Sequence, residues 1–359
     1  MEDIKINILI LMSQLETFQG LENLYNYFKN NDLYNIKIIC YEMCKDTRKR
    51  WIHNISASTK LLEKNIEFIN YTGGDLKYLN PDYVFYQTPY CSQFPKYLRI
   101  EFVKHYSKTC YFGYGYSIWN VNAFTVIEFF DQVDFYFVDN NFAYDDYFKF
   151  LKKRGRDLDF FKKRTFTTGN PKVSNINFEN ELKYINFGWT PRWTPKQSTF
   201  EKYFEFLVKI FNKNENINLG CRFHPLDKNT SRGTFVDNIK KIKNIYIHDE
   251  LSYDKYFEHL DVLISDLSSM IAEFFPTGKP IILFNKTGMT VGSFGDALLK
   301  GIYIVNNEKE LGDIITKLQN NIDPLKETRI KLIEKFYSCY TPIESIDKLL
   351  NTNYLKTIK

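Results

Sequence analysis

The sequence predicts an α/β protein built from two doubly wound domains, on three observations. Its 359 residues are about two domains' worth of chain. Its apolar runs are short and continuous rather than alternating, as in strands covered on both faces. Segments of helical length separate those runs, the pattern of crossovers onto a parallel sheet.

The elements follow in chain order. Ile6 to Met12 reads as a buried strand, with a helix through Leu21 to Lys29 after it and a second strand at Ile36 to Tyr41. Asp82 to Gln87 and Thr109 to Phe112 are two more strands, with a helix through Tyr97 to Tyr106 between them, and Gln132 to Val138 is another. The chain breakers Gly169, Asn170 and Pro171 place a boundary between Thr168 and Leu182. Beyond it the series restarts with a strand at Tyr184 to Gly188, a helix at Phe200 to Asn212 and a strand at Ile217 to Phe223. Ile245 to Ile247, Asp261 to Ser265, Pro280 to Phe284 and Tyr303 to Val305 read as strands, with a helix from Ser268 to Phe275 and two helices at the end. The expected domains are 1–170 and 171–335, with 336–359 a C-terminal helix or tail whose return to the first domain is one option that the sequence alone does not decide. A ligand cleft is expected between the carboxyl ends of the two sets of strands.

Composition narrows the class of function. A net charge of +5 suits phosphorylated substrates or an anionic surface. No dense basic face or nucleic-acid motif accompanies it, which argues against a nucleic-acid partner. The aromatic share of 17%, beside many Lys, Asn and Ile, reads as an AT-rich coding bias rather than a binding feature. Cys40, Cys44, Cys91, Cys110, Cys221 and Cys339 form no CxxC pair, so reduced thiols and a cytoplasmic location are expected. The run Ile6 to Met12 is too short for a spanning helix. The Lys-rich stretch from Lys348 to Lys359 reads as a solvated tail, with peripheral contact to the inner membrane face as the alternative.

Three segments carry chemistry. The strand from Asp261 runs into Asp266-Leu267-Ser268-Ser269 and then at once into a helix. Small hydroxyls beside the free N–H groups of a helix start suit a phosphate oxygen, although an ordinary N-cap has the same composition. Arg222-Phe223-His224-Pro225 closes another strand, and alternation puts Arg222 and His224 on one side. Arginine offers a planar fork for phosphate, and histidine a proton or hydrogen bond for a leaving phosphate. Thr190-Pro191-Arg192-Trp193 follows a third strand and brings a hydroxyl and a cation to the same region. Together they point to a nucleotide-diphosphate site. The sequence holds neither GxxxxGK[ST] nor a strand-linked GxGxxG, which argues against a P-loop or dinucleotide enzyme. It holds no paired carboxylates in a metal-ligand context, so neither metal nor cofactor is expected beyond the activated donor.

At these segments the sequence resembles the CDP-glycerol:poly(glycerophosphate) glycerophosphotransferases, which make teichoic-acid and capsule backbones. Arg222-Phe223-His224-Pro225 matches their Arg-x-His-Pro, and Asp266-Leu267-Ser268-Ser269 their Asp-x-Ser-Ser. Lys279-Pro280, Gly169-Asn170-Pro171-Lys172 and Thr190-Pro191-Arg192-Trp193 match further motifs, in order, over roughly Thr168 to Phe284. The resemblance implies a GT-B-like fold, metal-independent catalysis and a CDP-linked donor. By similarity His224, Arg222, Ser268 and Ser269 contact the donor diphosphate, with Thr190, Arg192 and Asp266 beside them. The first half departs from the pattern. Where the family has a His-Gly-Thr-Pro-like motif, this chain reads Tyr111-Phe112-Gly113-Tyr114-Gly115-Tyr116-Ser117. Gln87, Glu101 and Tyr116 are the candidates to line the acceptor side. The expected function is transfer of a glycerophosphate-type group to a glycan or lipid-linked acceptor, with release of CMP. The alternatives are a glycosyltransferase using a CMP- or UDP-sugar and a silent nucleotide-binding partner in a capsule complex.

Overall fold

A computed structural model describes residues 5–13, 15–42, 57–113, 115–116, 118, 126–172, 185–192, 198–223, 242–248, 253–285 and 291–358. The chain divides into two compact units, 1–174 with 340–359, and 175–339.

The first unit holds a seven-stranded parallel sheet: β1 (Ile6–Met12), β2 (Tyr34–Cys40), β3 (Phe68–Asn70), β4 (Tyr83–Tyr86), β5 (Lys108–Phe112), β6 (Phe135–Val138) and β7 (Thr165–Thr167). Their order across the sheet is β3-β2-β1-β4-β5-β6-β7. Helices α1 (Leu15–Lys29), α2 (Ala57–Glu63), α3 (Ile100–Val103), α4 (Ile127–Phe130), α5 (Asn141–Lys153) and α6 (Leu158–Lys162) connect the strands. The apolar run of β1, interrupted only by Asn7, has a simple cause. Ile6, Ile8, Ile10 and Met12 enter one core with Leu24 and Phe28, while Leu9 and Leu11 enter a second core with Phe129 and Tyr147. Both faces are covered from Ile8 onward, so both parities are apolar there, while the half-buried Asn7 near the strand's start has its amide oxygen accepting from Nδ2 of Asn35.

The second unit repeats the winding with β8 (Asn186–Thr190), β9 (Asn218–Cys221), β10 (Ile245–Ile247), β11 (Val262–Ser265), β12 (Ile281–Phe284) and β13 (Tyr303–Val305), in the order β10-β9-β8-β11-β12-β13. Its helices are α7 (Phe200–Lys213), α8 (Tyr253–His259), α9 (Ser269–Phe274), α10 (Ser293–Leu299), α11 (Glu308–Gln319) and α12 (Lys326–Phe336). Helix α7 buries Phe200, Tyr203, Leu207 and Phe211, a stripe at three- and four-residue spacing, against Trp189 and Leu219 of the sheet. In both units strand order reverses once, between β1 and β4 and between β8 and β11.

The last helix, α13 (Pro342–Ile358), belongs to the first unit. Ile346 and Leu350 enter its core, and Tyr83 donates its hydroxyl to the carbonyl of Leu350 at 2.8 Å. Gly169 takes φ +85°, and a Cβ there would stand 2.5 Å from Cβ of Tyr340, so the two linking segments pass in contact only because this residue is glycine.

Three expectations change, the first being that three helices, α11, α12 and α13, rather than two follow β13. The helix expected from Tyr97 to Tyr106 is a 3-10 turn at Lys96–Leu98 followed by the short α3, because Arg99 between them is extended at φ −69°, ψ 147°. Strands β3 and β7, three residues each, were not expected; both lie at sheet edges, where pairing rather than composition defines them.

Candidate functional site

Doubly wound sheets bind ligands outside the carboxyl ends of their strands where the order reverses. In the second unit that point lies between β8 and β11, paired in parallel so that Thr190 stands beside Ser265. The residues that leave the sheet there are Pro191-Arg192 on one side and Asp266-Leu267-Ser268 on the other. These are the positions the sequence singled out.

The two strand ends are tied together by hydrogen bonds. Thr190 donates its hydroxyl to Oγ of Ser265 at 2.9 Å, and Ser265 donates in turn to the carbonyl of Asp266 at 2.7 Å. Asp266 is 1% exposed, and its carboxylate is a clamp. Oδ2 accepts from the backbone N–H of Arg192 at 2.8 Å and of Thr199 at 3.2 Å, while Oδ1 accepts the Thr199 hydroxyl at 2.6 Å. Arg192 also donates from Nη1 to the carbonyl of Leu267 at 2.8 Å. Burial lowers the Arg192 pKa, and the negative charge of Asp266 acts in the opposite direction. Thr190 and Asp266 therefore direct their side chains into the scaffold.

Ser268 is different. It occupies the N-cap position of α9 in extended conformation, φ −150° and ψ 164°, yet its side chain makes no capping bond. Its Oγ is buried and has no hydrogen-bond partner among the described residues. Ser269 follows as the first residue of α9, half-buried. Helix α9 has six residues and runs into a 3-10 turn at Phe275–Thr277, so any attraction for an anion comes from its first N–H groups and not from a long dipole.

Arg222 follows the adjacent strand β9. Its N–H continues the ladder to the carbonyl of Trp189 at 2.9 Å. Cys221 and Phe223 pack into the α7-side core, so Arg222 takes the other face. There its guanidinium lies 5.6 Å from the ring centroid of Tyr256. Complete burial holds the Cys221 thiol far above its usual range, which makes it inert packing. Lys279 donates Nζ to the carbonyl of Leu260 at 2.7 Å, so this lysine serves the scaffold. His224 lies outside the described residues.

In the first unit the order reverses between β1 and β4, and Gln87 and Thr88 follow β4 at that point. Gln87 is buried, and so is Tyr116 beyond β5. Glu101 lies in the first turn of α3, half-exposed and 4.0 Å from Arg99. Two residues were missed from sequence. Thr88 is buried, and its hydroxyl has no partner among the described residues. Asn140 caps α5 through its oxygen, 3.0 Å from the N–H of Ala143, while its buried Nδ2 has no partner among the described residues. Each is the second residue past an apolar strand, behind Gln87 and Asp139, one place further out than Asp266 lies from its strand. Beside Asn140, Asp139 accepts from Nδ2 of Asn170 at 3.0 Å. Among the described residues no group of three or more His, Cys, Asp or Glu could hold a metal, and no helix is long and apolar enough to cross a membrane.

Two parallel sheets wound in this way, with polar strand ends at the point of reversal, define an α/β protein of GT-B-like fold. The solved structures it resembles agree. A putative UDP-N-acetylglucosamine 2-epimerase from Listeria monocytogenes matches at 11% identity and TM-score 0.62, over 90% of each chain. A variant of the wall teichoic acid polymerase TagF soaked with CDPG matches at 12% identity and TM-score 0.62, over 100% of this chain and 91% of that one. UDP-GlcNAc 2-epimerase from Neisseria meningitidis, bound to UDP-GlcNAc, matches at 10% identity and TM-score 0.59, over 92% and 100%. At these identities the likeness is one of fold. No curated protein sequence matches the chain significantly. The family is given by residues 158–340, which match the model of the CDP-glycerol:poly(glycerophosphate) glycerophosphotransferases. The chain belongs to that family and is a glycerophosphotransferase-like enzyme.

Proposed function

We propose that the enzyme transfers a glycerophosphate-type group from a CDP-activated donor to a hydroxyl of a cell-envelope glycan, releasing CMP. The observation that carries the donor site is Ser268: a buried hydroxyl, unpartnered among the described residues, at the sheet's point of reversal. An unmet buried polar group costs about 1–3 kcal/mol, so a protein retains one where a ligand meets it. The family match over the same unit supports a nucleotide-linked donor there.

In this reading the acceptor hydroxyl gives up its proton to a base of the first unit, its oxygen attacks the β-phosphorus, and the bond from that phosphorus to the CMP oxygen breaks. Charge gathers on the departing phosphate. Arg222, the Ser268 hydroxyl and the N–H groups at Ser269 neutralise it, and His224 supplies a hydrogen bond or proton to the leaving group. Asp266 and Thr190 hold the strand ends in register, and Arg192 sits on the clamp they form. The acceptor side falls to the first unit, with Gln87 at its point of reversal and Tyr116 and Glu101 beyond it. The free thiols of Cys40, Cys91, Cys110, Cys221 and Cys339 accord with work in a reducing compartment.

A thermal-shift screen with CDP, CMP, UDP and GDP, without added metal, tests the donor. Wild type, Ser268→Ala and His224→Ala are compared. Ser268 makes no capping bond, so alanine should leave the unliganded melting temperature unchanged. A rise with CDP or CMP that shrinks in both variants is the expected result. A rise confined to UDP points instead to a sugar nucleotide. No response to any nucleotide removes the donor site.

A further inference from the structure

The face of the second sheet that carries Arg222 is shaped by two glycines and one tyrosine. Gly188 of β8 and Gly220 of β9 lie on it, in the parity opposite to the core residues Phe187, Trp189, Leu219 and Cys221. Tyr256, from α8, is completely buried against this face and donates Oη to the carbonyl of Gly220 at 3.0 Å. A Cβ at position 188 would stand 2.6 Å from that Oη and 2.2 Å from Cδ1 of Leu260. Glycine at 188 is thus a condition for a tyrosine to lie here. The ring has two side-chain neighbours that matter: the Arg222 guanidinium at 5.6 Å, and His248, edge-on at 4.8 Å between centroids.

Resting on the donor-site reading above, we propose that Tyr256 is a positioning residue for donor binding, its ring holding the guanidinium plane of Arg222 for the diphosphate. Arginine is a long side chain with much rotamer freedom, and a free one would lose that freedom on binding. The Tyr256 ring restricts it beforehand. An aromatic partner is suited to this task because its ring attracts the cation without placing a countercharge beside it. The ring is also referenced to the right strand. Its hydroxyl is bonded to Gly220, two residues before Arg222 on the same face, so anchor and cargo move together. Full burial pushes the Tyr256 phenol well above its usual range, which keeps it neutral and bonded at all working pH values.

The test is calorimetric titration of the whole chain with CDP. Arg222→Ala should weaken binding at least tenfold. Tyr256→Leu should weaken it several-fold, and Tyr256→Phe, which keeps the ring, should recover most of the loss. In the double variant Tyr256→Leu/Arg222→Ala, affinity should equal that of Arg222→Ala alone, because the tyrosine acts only through the arginine. Losses that multiply in the double variant overturn the proposal, as does a Phe variant no better than Leu. Since Leu leaves a void, phenylalanines with one to four ring fluorines at position 256 give a second series that keeps the shape and drains the ring face of charge. Affinity should fall stepwise along it; a flat series alongside a strong Arg222→Ala effect overturns the role of Tyr256 and leaves the donor site standing. CDP binding that is absent in wild type, or indifferent to Arg222→Ala, overturns the donor site and this inference with it.

Discussion

Replacing Asp266 by asparagine and by alanine should give two very different costs, and the difference can be worked from its bonds. One oxygen accepts two backbone N–H groups and the other accepts a threonine hydroxyl. In Asp266→Asn the amide oxygen can take the place of Oδ2 and keep both N–H donors. The amide nitrogen then faces Thr199, whose hydroxyl turns from donor to acceptor. All three bonds survive as neutral ones, and what is lost is charge assistance together with the countercharge of half-buried Arg192. Hydrogen bonds to ions contribute about 1.5–3 kcal/mol against about 0.5–1.5 for neutral pairs, so the asparagine should cost about 1–2 kcal/mol. Asp266→Ala instead strands two N–H groups and a hydroxyl in a buried place, and should cost about 3–5 kcal/mol after partial relaxation. Urea unfolding followed by circular dichroism and by tryptophan fluorescence, with Trp189 in this unit's core, reads both. Equal costs for the two variants, or less than about 1 kcal/mol for alanine, would refute the clamp.

Two further outcomes follow from other buried groups. Arg329 is 0% exposed, donates to the carbonyls of Gly278 at 3.0 Å and Gly301 at 3.3 Å, and pairs with Asp323. Arg329→Met should cost about 3–5 kcal/mol by calorimetry, with part recovered when Asp323→Asn is added; a cost without recovery would mean packing, not charge, is what was lost. In alkali, burial raises the Cys40 thiol from 9.0 to about 11, with the charge of Glu42 adding to the effect, and raises the Tyr34, Tyr83 and Tyr147 phenols above 10.0. The folded state prefers the neutral forms, so the unfolded chain deprotonates first. Stability from Cys40 should be complete below pH 9 and lost between there and about 11, with the tyrosines extending the decline upward. A melting temperature constant from pH 8 to 11 would contradict this.

Much of the architecture is legible because two-sided burial leaves a plain mark: β4, β6 and β12 are unbroken apolar runs, and β1 and β11 are interrupted only by Asn7 and Ser265. The edge strand Phe68–Asn70 carries no such mark, since its residues are half-buried or exposed and its identity comes from pairing with β2. The break at Arg99 is equally hidden, because the composition of 97–106 suits a helix and the buried neighbours Leu98 and Ile100 decide otherwise. The candidate site residues of the second unit are readable as polar side chains that follow apolar strands. Which of them face inward is not readable: Asp266 and Ser268 look alike in sequence, yet one clamps a loop and the other keeps an unspent hydroxyl. Tyr256 gives no local sign at all. Its slot exists only once β8 and β9 pair, placing Gly188 beneath Tyr256 and Leu260 and the Gly220 carbonyl within reach of the tyrosine hydroxyl.

The return of α13 to the first unit sets an order on how the protein is made. Residues 175–339 form a unit whose strands and helices are contiguous in the chain, whereas the first unit is split around them. On the ribosome β7 emerges roughly 180 residues before Ile346 and Leu350, a delay of about 10–40 s at ordinary rates of synthesis. Through that interval the sheet face around Tyr34 and Tyr83 lacks its covering helix. The second unit is therefore the one that can finish first. The half that begins the chain completes last, and its uncovered aromatic face is where a nascent-chain chaperone would be needed.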